Sequence, residues 1–143
     1  MTEDQLKRLR EDFEQWKEES RSETKPYGLT IDGRPRFDLE PGHSAERPAL
    51  RRIASPIEIS DAYLSVMRDN QALDAVVDIL GPNIKFENAK INSKLPGAAT
   101  QVKFHQDFLF EAHTNYDMIT VLFFLDDVTP ENGPLQVVPG THT

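Results

Sequence analysis

The chain has 143 residues, 38% of them hydrophobic, and a formal net charge of −8. That length suits one domain, and eight phenylalanines favour a packed core over a disordered tail. The acidic balance argues against nucleic acid or an anionic membrane as the main partner, because basic patches bind both. Without cysteine, disulfides and thiolate metal sites are excluded. With no signal-like or membrane-length apolar stretch, the sequence predicts a soluble cytoplasmic protein.

Residues 3–19 have the spacing of an amphipathic helix. Apolar residues recur there at intervals of three and four, which places them on one stripe. Thr2, followed three residues later by Gln5, has the form of a capping box. The sequence therefore predicts a helix that begins after Thr2 and buries one face, made of Leu6, Leu9, Phe13 and Trp16.

Residues 20–56 show no helical or strand periodicity, and they carry five of the ten prolines. Proline removes a backbone donor and interrupts both helices and central strands. We therefore predict an extended arm in this segment. The dipeptides Asp32-Gly33 and Pro41-Gly42 mark turns within it.

A second helical region is predicted from Asp61 to Leu80. Ser60 can cap its first turn, and Gly81-Pro82 stops it. Its predicted buried side is formed by Leu64, Met67, Leu73, Val76, Val77 and Leu80.

Strand-like patterns begin after Pro82, where short segments rich in β-branched and aromatic residues alternate with turn residues. Helices followed by strands indicate an α+β chain, or a β-barrel with a helical flank. We predict a single domain, in which residues 1–82 form a helical flank with an extended arm and residues 83–143 form strands. The predicted strands cover residues 84–93, 102–110, 118–125 and 135–138.

His105 and Asp107 are the candidate metal ligands. In the predicted strand they are two residues apart and therefore point to the same face, with Gln106 on the other. An imidazole and a carboxylate on one face fit two positions of a 2-His-1-carboxylate iron site. The alternative is a histidine paired with a neighbouring acid on a barrel wall, and an H-x-D triplet alone does not decide between them.

The surroundings of the triplet are more specific. The chain reads F-H-Q-D at 104–107, L-D-D at 125–127, T-x-x-N-G-x-L at 129–135 and P-G-T-H at 139–142. These motifs, in this order, strongly resemble the phytanoyl-CoA dioxygenase family, in which the last motif reads P-G-S-H. Residues 90–94 also resemble the strand that precedes the family's iron motif. The resemblance is close over residues 84–143 and looser over the N-terminal helices.

The resemblance implies a double-stranded β-helix, also called a jelly roll or cupin-like fold. It implies an Fe(II)- and 2-oxoglutarate-dependent dioxygenase that hydroxylates a C–H bond of a small molecule, with iron held by His105 and Asp107. By position, Asn92 matches a residue that hydrogen-bonds 2-oxoglutarate and Phe123 matches a ring that lines its pocket. Ordinary strand packing is the alternative for both residues.

Two residues of the family pattern are not found in residues 1–143. In the family, a third ligand histidine and an arginine that pairs with 2-oxoglutarate follow well downstream of the P-G-S-H turn. No arginine follows Arg68, and a strand that usually precedes the first helix is also missing. The resemblance thus implies an incomplete chain that is inactive alone. His142 belongs to the turn in the family, and His113 and His43 are weaker candidates for the third ligand.

Three interpretations remain open at the level of sequence. The first is an oxygenase read from a partial chain. The second is a non-catalytic jelly-roll module that binds a metal or small anion, and the third is a structural remnant that folds only with a missing segment. The expected partners are a small-molecule substrate and, through unpaired strand edges, other copies of the chain.

Overall fold

The computed structural model describes residues 1–97, 102–110 and 113–141. It combines helices with one antiparallel sheet, whose four strands lie in the order β1-β2-β3-β4. The mixed α and β class is therefore confirmed, and the jelly roll stays a prediction. The helices are α1 (Glu3–Glu19), α2 (Asp61–Arg68) and α3 (Gln71–Leu80), and the strands are β1 (Tyr27–Leu29), β2 (Pro35–Leu39), β3 (Leu50–Ala54) and β4 (Lys90–Asn92).

Helix α1 has the predicted bounds and the predicted cap. The Thr2 hydroxyl accepts from the backbone N–H of Gln5 at 3.2 Å, and the Gln5 side chain accepts from the backbone N–H of Thr2 at 2.8 Å. This reciprocal pair satisfies N–H groups that have no partner within the first turn. On the predicted stripe, Leu9 and Trp16 are buried.

The extended arm predicted for residues 20–56 is wrong, because this segment supplies three of the four strands. Both predicted turns are present, and the backbone φ of Gly33 and Gly42 is positive, as such turns require. The prolines did not prevent the strands because they lie at the ends of the elements. Pro35, for example, is the first residue of β2, a position at which proline is tolerated.

The core forms where α1 crosses this sheet. The Trp16 ring lies 6.1 Å from the Phe37 ring of β2, which stacks in turn on Tyr27 of β1 at 4.7 Å. Leu50 and Ile53 of β3 complete the buried cluster. These four residues of the supposed arm are therefore sheet residues that pack against a helix, and this packing stabilises a sheet of short strands.

The second helical region is present but divided in two. Ser60 caps α2 as predicted, accepting from the backbone N–H of Tyr63 at 3.0 Å. Asn70 then caps α3 by accepting from Leu73 at 3.0 Å, and Gly81, with a φ of +92°, ends it. The residues of the predicted buried side are partly buried, while Val66 of α2 is fully buried. None of these helices is long and apolar enough to cross a bilayer among the residues described.

The C-terminal strand predictions are largely wrong. Of residues 84–93 only Lys90–Asn92 forms a strand, which pairs antiparallel with β3. Over 102–110 and 113–141 the described backbone is irregular apart from two short 3₁₀ helices, Asp107–Phe110 and Pro130–Asn132. High β propensity does not make a strand without a neighbour to pair with, because propensity mainly reflects packing on a pleated, half-buried surface.

A buried arginine of β2 forms an ion pair and three backbone hydrogen bonds at one end of the sheet. Arg36 of β2 is 5% exposed and pairs with Glu58. Its guanidinium also donates to the carbonyls of Leu29 at 2.9 Å, Ala54 at 3.1 Å and Ser55 at 2.7 Å. Ser55 has a left-handed backbone with a φ of +48°, which is unusual for a residue other than glycine. One arginine thus holds the end of β1 against the turn that follows β3.

We expect Arg36→Met to lower the free energy of unfolding by roughly 3 kcal/mol, because three carbonyls lose the charged donor that is buried with them. The matched control is Arg34→Met, since Arg34 pairs with Asp32 on the surface with both side chains more than half exposed. Exposed pairs contribute little. Urea unfolding followed by circular dichroism checks both, and equal losses in the two variants would contradict the assignment.

The same pair predicts acid sensitivity. Donation by Arg36 lowers the pKa of Glu58 below its ordinary value of 4.5. A carboxyl with a lowered folded pKa stabilises the fold above its unfolded pKa, and that contribution is lost as the pH falls through the folded pKa. The Tm of the wild type should therefore fall on acidification from neutral pH to below about pH 4 more steeply than that of Glu58→Gln. Parallel Tm profiles would contradict this.

The C-terminal segments leave much apolar surface exposed. Ten of their large hydrophobic side chains are more than half exposed, and such concentrations promote association. These side chains are Val102, Phe104, Leu109, Phe110, Tyr116, Leu122, Phe124, Leu135, Val137 and Val138.

We expect the chain to self-associate and to bind an apolar dye, and Val121→Lys to reduce both effects, because a charge interrupts the apolar run at residues 119–125. Ile31→Lys is the control, since Ile31 is an 88% exposed residue in the turn between β1 and β2, away from that run. Light scattering and dye fluorescence measure the outcome. A monodisperse wild-type monomer without dye binding would contradict the expectation.

Candidate metal centre

His105 and Asp107 are brought together, although not by a strand. His105 lies in irregular backbone and Asp107 begins the 3₁₀ helix Asp107–Phe110. In the predicted strand, alternation would have placed both side chains on one face. Here the turn into the 3₁₀ helix brings the two side chains together instead. The Nε2 atom of His105 lies 3.2 Å from Oδ1 of Asp107.

The ring of His105 is fixed on two sides. Its Nδ1 lies 2.7 Å from the carbonyl oxygen of Lys103, which can only accept, so Nδ1 carries a proton. The ring also packs edge-on against Phe110, with 5.6 Å between centroids. In the neutral ring, Nε2 therefore presents a lone pair to Asp107, as metal-binding histidines do when a carbonyl holds their other nitrogen.

The carboxylate of Asp107 is held from a second segment. Its Oδ2 accepts a hydrogen bond from the Thr120 hydroxyl at 3.1 Å, and the two residues are 13 positions apart. Nothing in the local sequence around His105 signals this contact. A threonine within an otherwise apolar run, at residues 119–125, was the one available hint.

The arrangement of Nε2 and Oδ1 fits two adjacent ligands of one cation. Two ligand atoms at right angles on an octahedral ion, each about 2.1 Å from it, lie about 3.0 Å apart. Without a cation, a lone pair of Nε2 would face the carboxylate oxygen, and a second ring proton would be needed to remove the repulsion. The site thus accommodates either a metal ion or a His–Asp ion pair.

Solvent reaches the pair directly. The side chains of His105 and Asp107 are 38% and 37% exposed. Among the described residues no group of three or more His, Cys, Asp or Glu side chains is gathered that could hold a metal ion. His105 and Asp107 therefore offer two protein ligands and leave further positions to other donors.

Gln106, between the two candidate ligands, makes a different contact. Its amide donates to the carbonyl oxygen of Thr141 at 2.7 Å. The Thr141 hydroxyl donates to the carbonyl of Val138 at 2.8 Å, which closes the turn that contains Pro139 and Gly140. The hydrogen bond from Gln106 to Thr141 thus joins the F-H-Q-D and P-G-T segments.

The T-x-x-N-G motif is a capped turn. Thr129 and Asn132 form a capping box around the 3₁₀ helix Pro130–Asn132, and Gly133 follows with a left-handed φ of +75°. The Asn132 amide also donates to the carbonyl of Asp127 at 2.7 Å. The Lys94 ammonium donates to the carbonyl of Gly133 at 2.7 Å, which anchors this turn beside the end of β4.

The two residues predicted to bind 2-oxoglutarate lie apart from these contacts. Asn92 is exposed at the end of β4, opposite Arg52 in the sheet register. Phe123 is 38% exposed in irregular backbone. Within the described chain, no hydrogen bond joins Asn92 to the His105–Asp107 pair and no ring contact joins Phe123 to His105. Their roles stay predictions.

The remaining histidines differ in their surroundings. His43 has both ring nitrogens engaged, since Nδ1 accepts from the backbone N–H of Ala49 at 2.9 Å and Nε2 donates to the carbonyl of Ser20 at 3.0 Å. His113 stacks on Phe108 at 5.1 Å, and its buried Nε2 has no hydrogen-bond partner in the described chain. His142, the third candidate, lies outside the described residues.

Comparison with known proteins gives a family match over the whole chain. Residues 1–143 match the profile of the phytanoyl-CoA dioxygenase (PhyH) family. No solved structure matches the chain.

Three curated proteins are similar in sequence. A probable alpha-ketoglutarate-dependent hypophosphite dioxygenase of Stutzerimonas stutzeri is 37% identical over 106 residues, covering 74% of this chain and 37% of that protein. L-proline trans-4-hydroxylase of Streptomyces griseoviridis is 30% identical over 80% of this chain and 43% of its own length. Ectoine dioxygenase of Streptomyces coelicolor is 27% identical, over 80% and 40% respectively. The chain thus spans less than half the length of these relatives.

We expect His43→Ala to lower the free energy of unfolding by about 1–3 kcal/mol, because the buried N–H of Ala49 and carbonyl of Ser20 lose their partner. Cobalt(II) binding should be unchanged, since both nitrogens of His43 are committed elsewhere. His105→Ala is the converse control, with binding lost and stability retained. A thermal melt and a cobalt titration on both variants decide the matter, and weakened cobalt binding by His43→Ala would identify it as a ligand.

Proposed function

Because the chain belongs to the phytanoyl-CoA dioxygenase family, we propose that it is part of an Fe(II)- and 2-oxoglutarate-dependent dioxygenase that hydroxylates a C–H bond of a small molecule. The single observation that carries the proposal is the 3.2 Å approach of His105 Nε2 to Asp107 Oδ1. The carbonyl of Lys103 holds the imidazole and the hydroxyl of Thr120 holds the carboxylate in this arrangement. The jelly roll implied by the family motifs is the fold proposed for the domain that contains this pair.

The residues of the chain have distinct parts in the proposed reaction. Bound iron would supply the oxidising chemistry: 2-oxoglutarate would lose CO₂ and take one oxygen atom to become succinate, and the other oxygen atom would enter the substrate as a hydroxyl. His105 and Asp107 would hold the ion through one nitrogen and one oxygen and neutralise part of its charge. The carbonyl of Lys103 keeps the proton of His105 on Nδ1, so that Nε2 remains free to bind. Gln106 holds the P-G-T turn beside the pair.

The proposed substrate is small and polar. The three relatives are named for hypophosphite, L-proline and ectoine, which share small size and polarity. Asn92 and Phe123 are proposed as contacts of 2-oxoglutarate, Asn92 through its amide and Phe123 through its ring. No nucleic-acid or membrane partner is proposed, in keeping with the net charge of −8.

A second candidate is a non-catalytic module that binds a metal ion or a small anion. The observation that favours it is the exposure of the His105–Asp107 pair, in which the described residues assemble only two ligands. Such a module would bind metal ions but would not respond to 2-oxoglutarate. The two candidates therefore differ in a measurable property.

The test is a titration with manganese(II) and cobalt(II) of the wild type, His105→Ala and Asp107→Ala. We expect weak binding by the wild type and at least a tenfold loss in each variant, because each removes one of two protein ligands. Asp78→Ala is the matched control, since it removes an exposed carboxylate on α3 and should bind like the wild type. Equal binding by all four proteins would contradict the assignment.

A further measurement separates the two candidates. When 2-oxoglutarate is added to the cobalt-loaded wild type without oxygen, an oxygenase site should change its visible spectrum, because the keto acid replaces water on the metal. Succinate is the control, since it lacks the keto group. A spectrum unchanged by either acid would favour the non-catalytic module.

A further inference from the structure

The two oxygens of the Asp107 carboxylate lie in different environments. Oδ1 faces Nε2 of His105 at 3.2 Å, where a metal ion would be shared. Oδ2 accepts the hydrogen bond of the Thr120 hydroxyl at 3.1 Å. A carboxylate that binds a cation through both oxygens must turn both toward the ion, and a donor fixed on one oxygen opposes that rotation.

The position of Thr120 is itself restrained. Its segment continues to Leu125, whose carbonyl accepts from Nε of Arg10 at 2.7 Å. Arg10 also pairs with the next residue, Asp126, at 3.4 Å. Helix α1 therefore tethers the segment that carries the hydroxyl, and the donor reaches Asp107 from an anchored part of the chain.

We infer that Thr120 is a positioning residue that holds Asp107 as a ligand through one oxygen only. The inference rests on the proposed function and adds to it the control of coordination number. An octahedral ion with a facial triad keeps three positions open for the keto acid and oxygen. A carboxylate bound through both oxygens occupies one of these positions. Thr120 keeps that position available.

The experiment compares Thr120→Val, Thr120→Ala and Thr120→Ser for cobalt(II) affinity and visible spectrum. Loss of the hydroxyl in Val and Ala should weaken binding 10- to 100-fold, as is typical when the partner of a metal ligand is removed. The spectrum should also change as the second oxygen reaches the metal. Thr120→Ser retains the hydroxyl and should restore both affinity and spectrum to within a few-fold of the wild type.

Thr114→Val is the matched control, because it makes the same chemical change at an exposed threonine of the adjacent segment. Thr120→Val also makes residues 119–125 entirely apolar, which could promote association. Thr120→Ala removes the hydroxyl with a smaller gain in apolar surface and therefore controls for this effect. Light scattering on each variant identifies that effect separately.

The outcomes distinguish this inference from the proposed function. If His105→Ala and Asp107→Ala lose cobalt binding while Thr120→Val and Thr120→Ala match the wild type, the positioning role is refuted and the metal site stands. A Thr120→Ser variant as weak as Thr120→Val also refutes it, because a merely steric role would then explain the loss. If the two ligand variants bind normally, the metal site itself is wrong.

Discussion

The indole ring of Trp16 packs helix α1 against both the sheet and helix α2. It is 6% exposed and contacts Phe37 of the sheet and, at 5.6 Å, Tyr63 of α2. A buried aromatic of this size contributes more to packing than any other residue type. These contacts of Trp16 fix the orientation of α1 on the sheet. Arg10 lies almost two helical turns before Trp16, and in this orientation it reaches the L-D-D segment. The placement of the candidate metal centre thus depends in part on a contact made far from it.

The parts of the fold that the sequence predicted are those determined by neighbours in the chain. The capping box of Thr2 and Gln5, the Ser60 cap and the stop at Gly81 each involve residues within four positions, so a local pattern suffices to identify them. The sheet was missed because its evidence is non-local. Phe37 of β2 reads as an isolated aromatic among prolines until Tyr27 and Trp16 are known to pack against it.

The same distinction applies to the candidate site. The spacing of His105 and Asp107 indicated convergence, and the structure brings them together through a 3₁₀ turn in place of the predicted strand. Residues 118–125 were predicted as a strand from composition alone, which ignores the need for a pairing partner. Thr120 could not have been found in this way, because its role depends on where a segment 13 residues away lies in space.

The order of the strands has a consequence for how the molecule assembles. Each strand pairs with the next one in sequence. The connections from β1 to β2 and from β2 to β3 are short, so the entropic cost of closing them is small, whereas residues 55–89 between β3 and β4 include α2 and α3. Contacts of this kind form early, whereas the bond between Arg10 and Leu125 joins residues 115 positions apart. During synthesis on the ribosome, every residue of α1 and of the sheet is made before residue 125. We therefore expect His105 and Asp107 to be added to an existing scaffold and to take their final positions last.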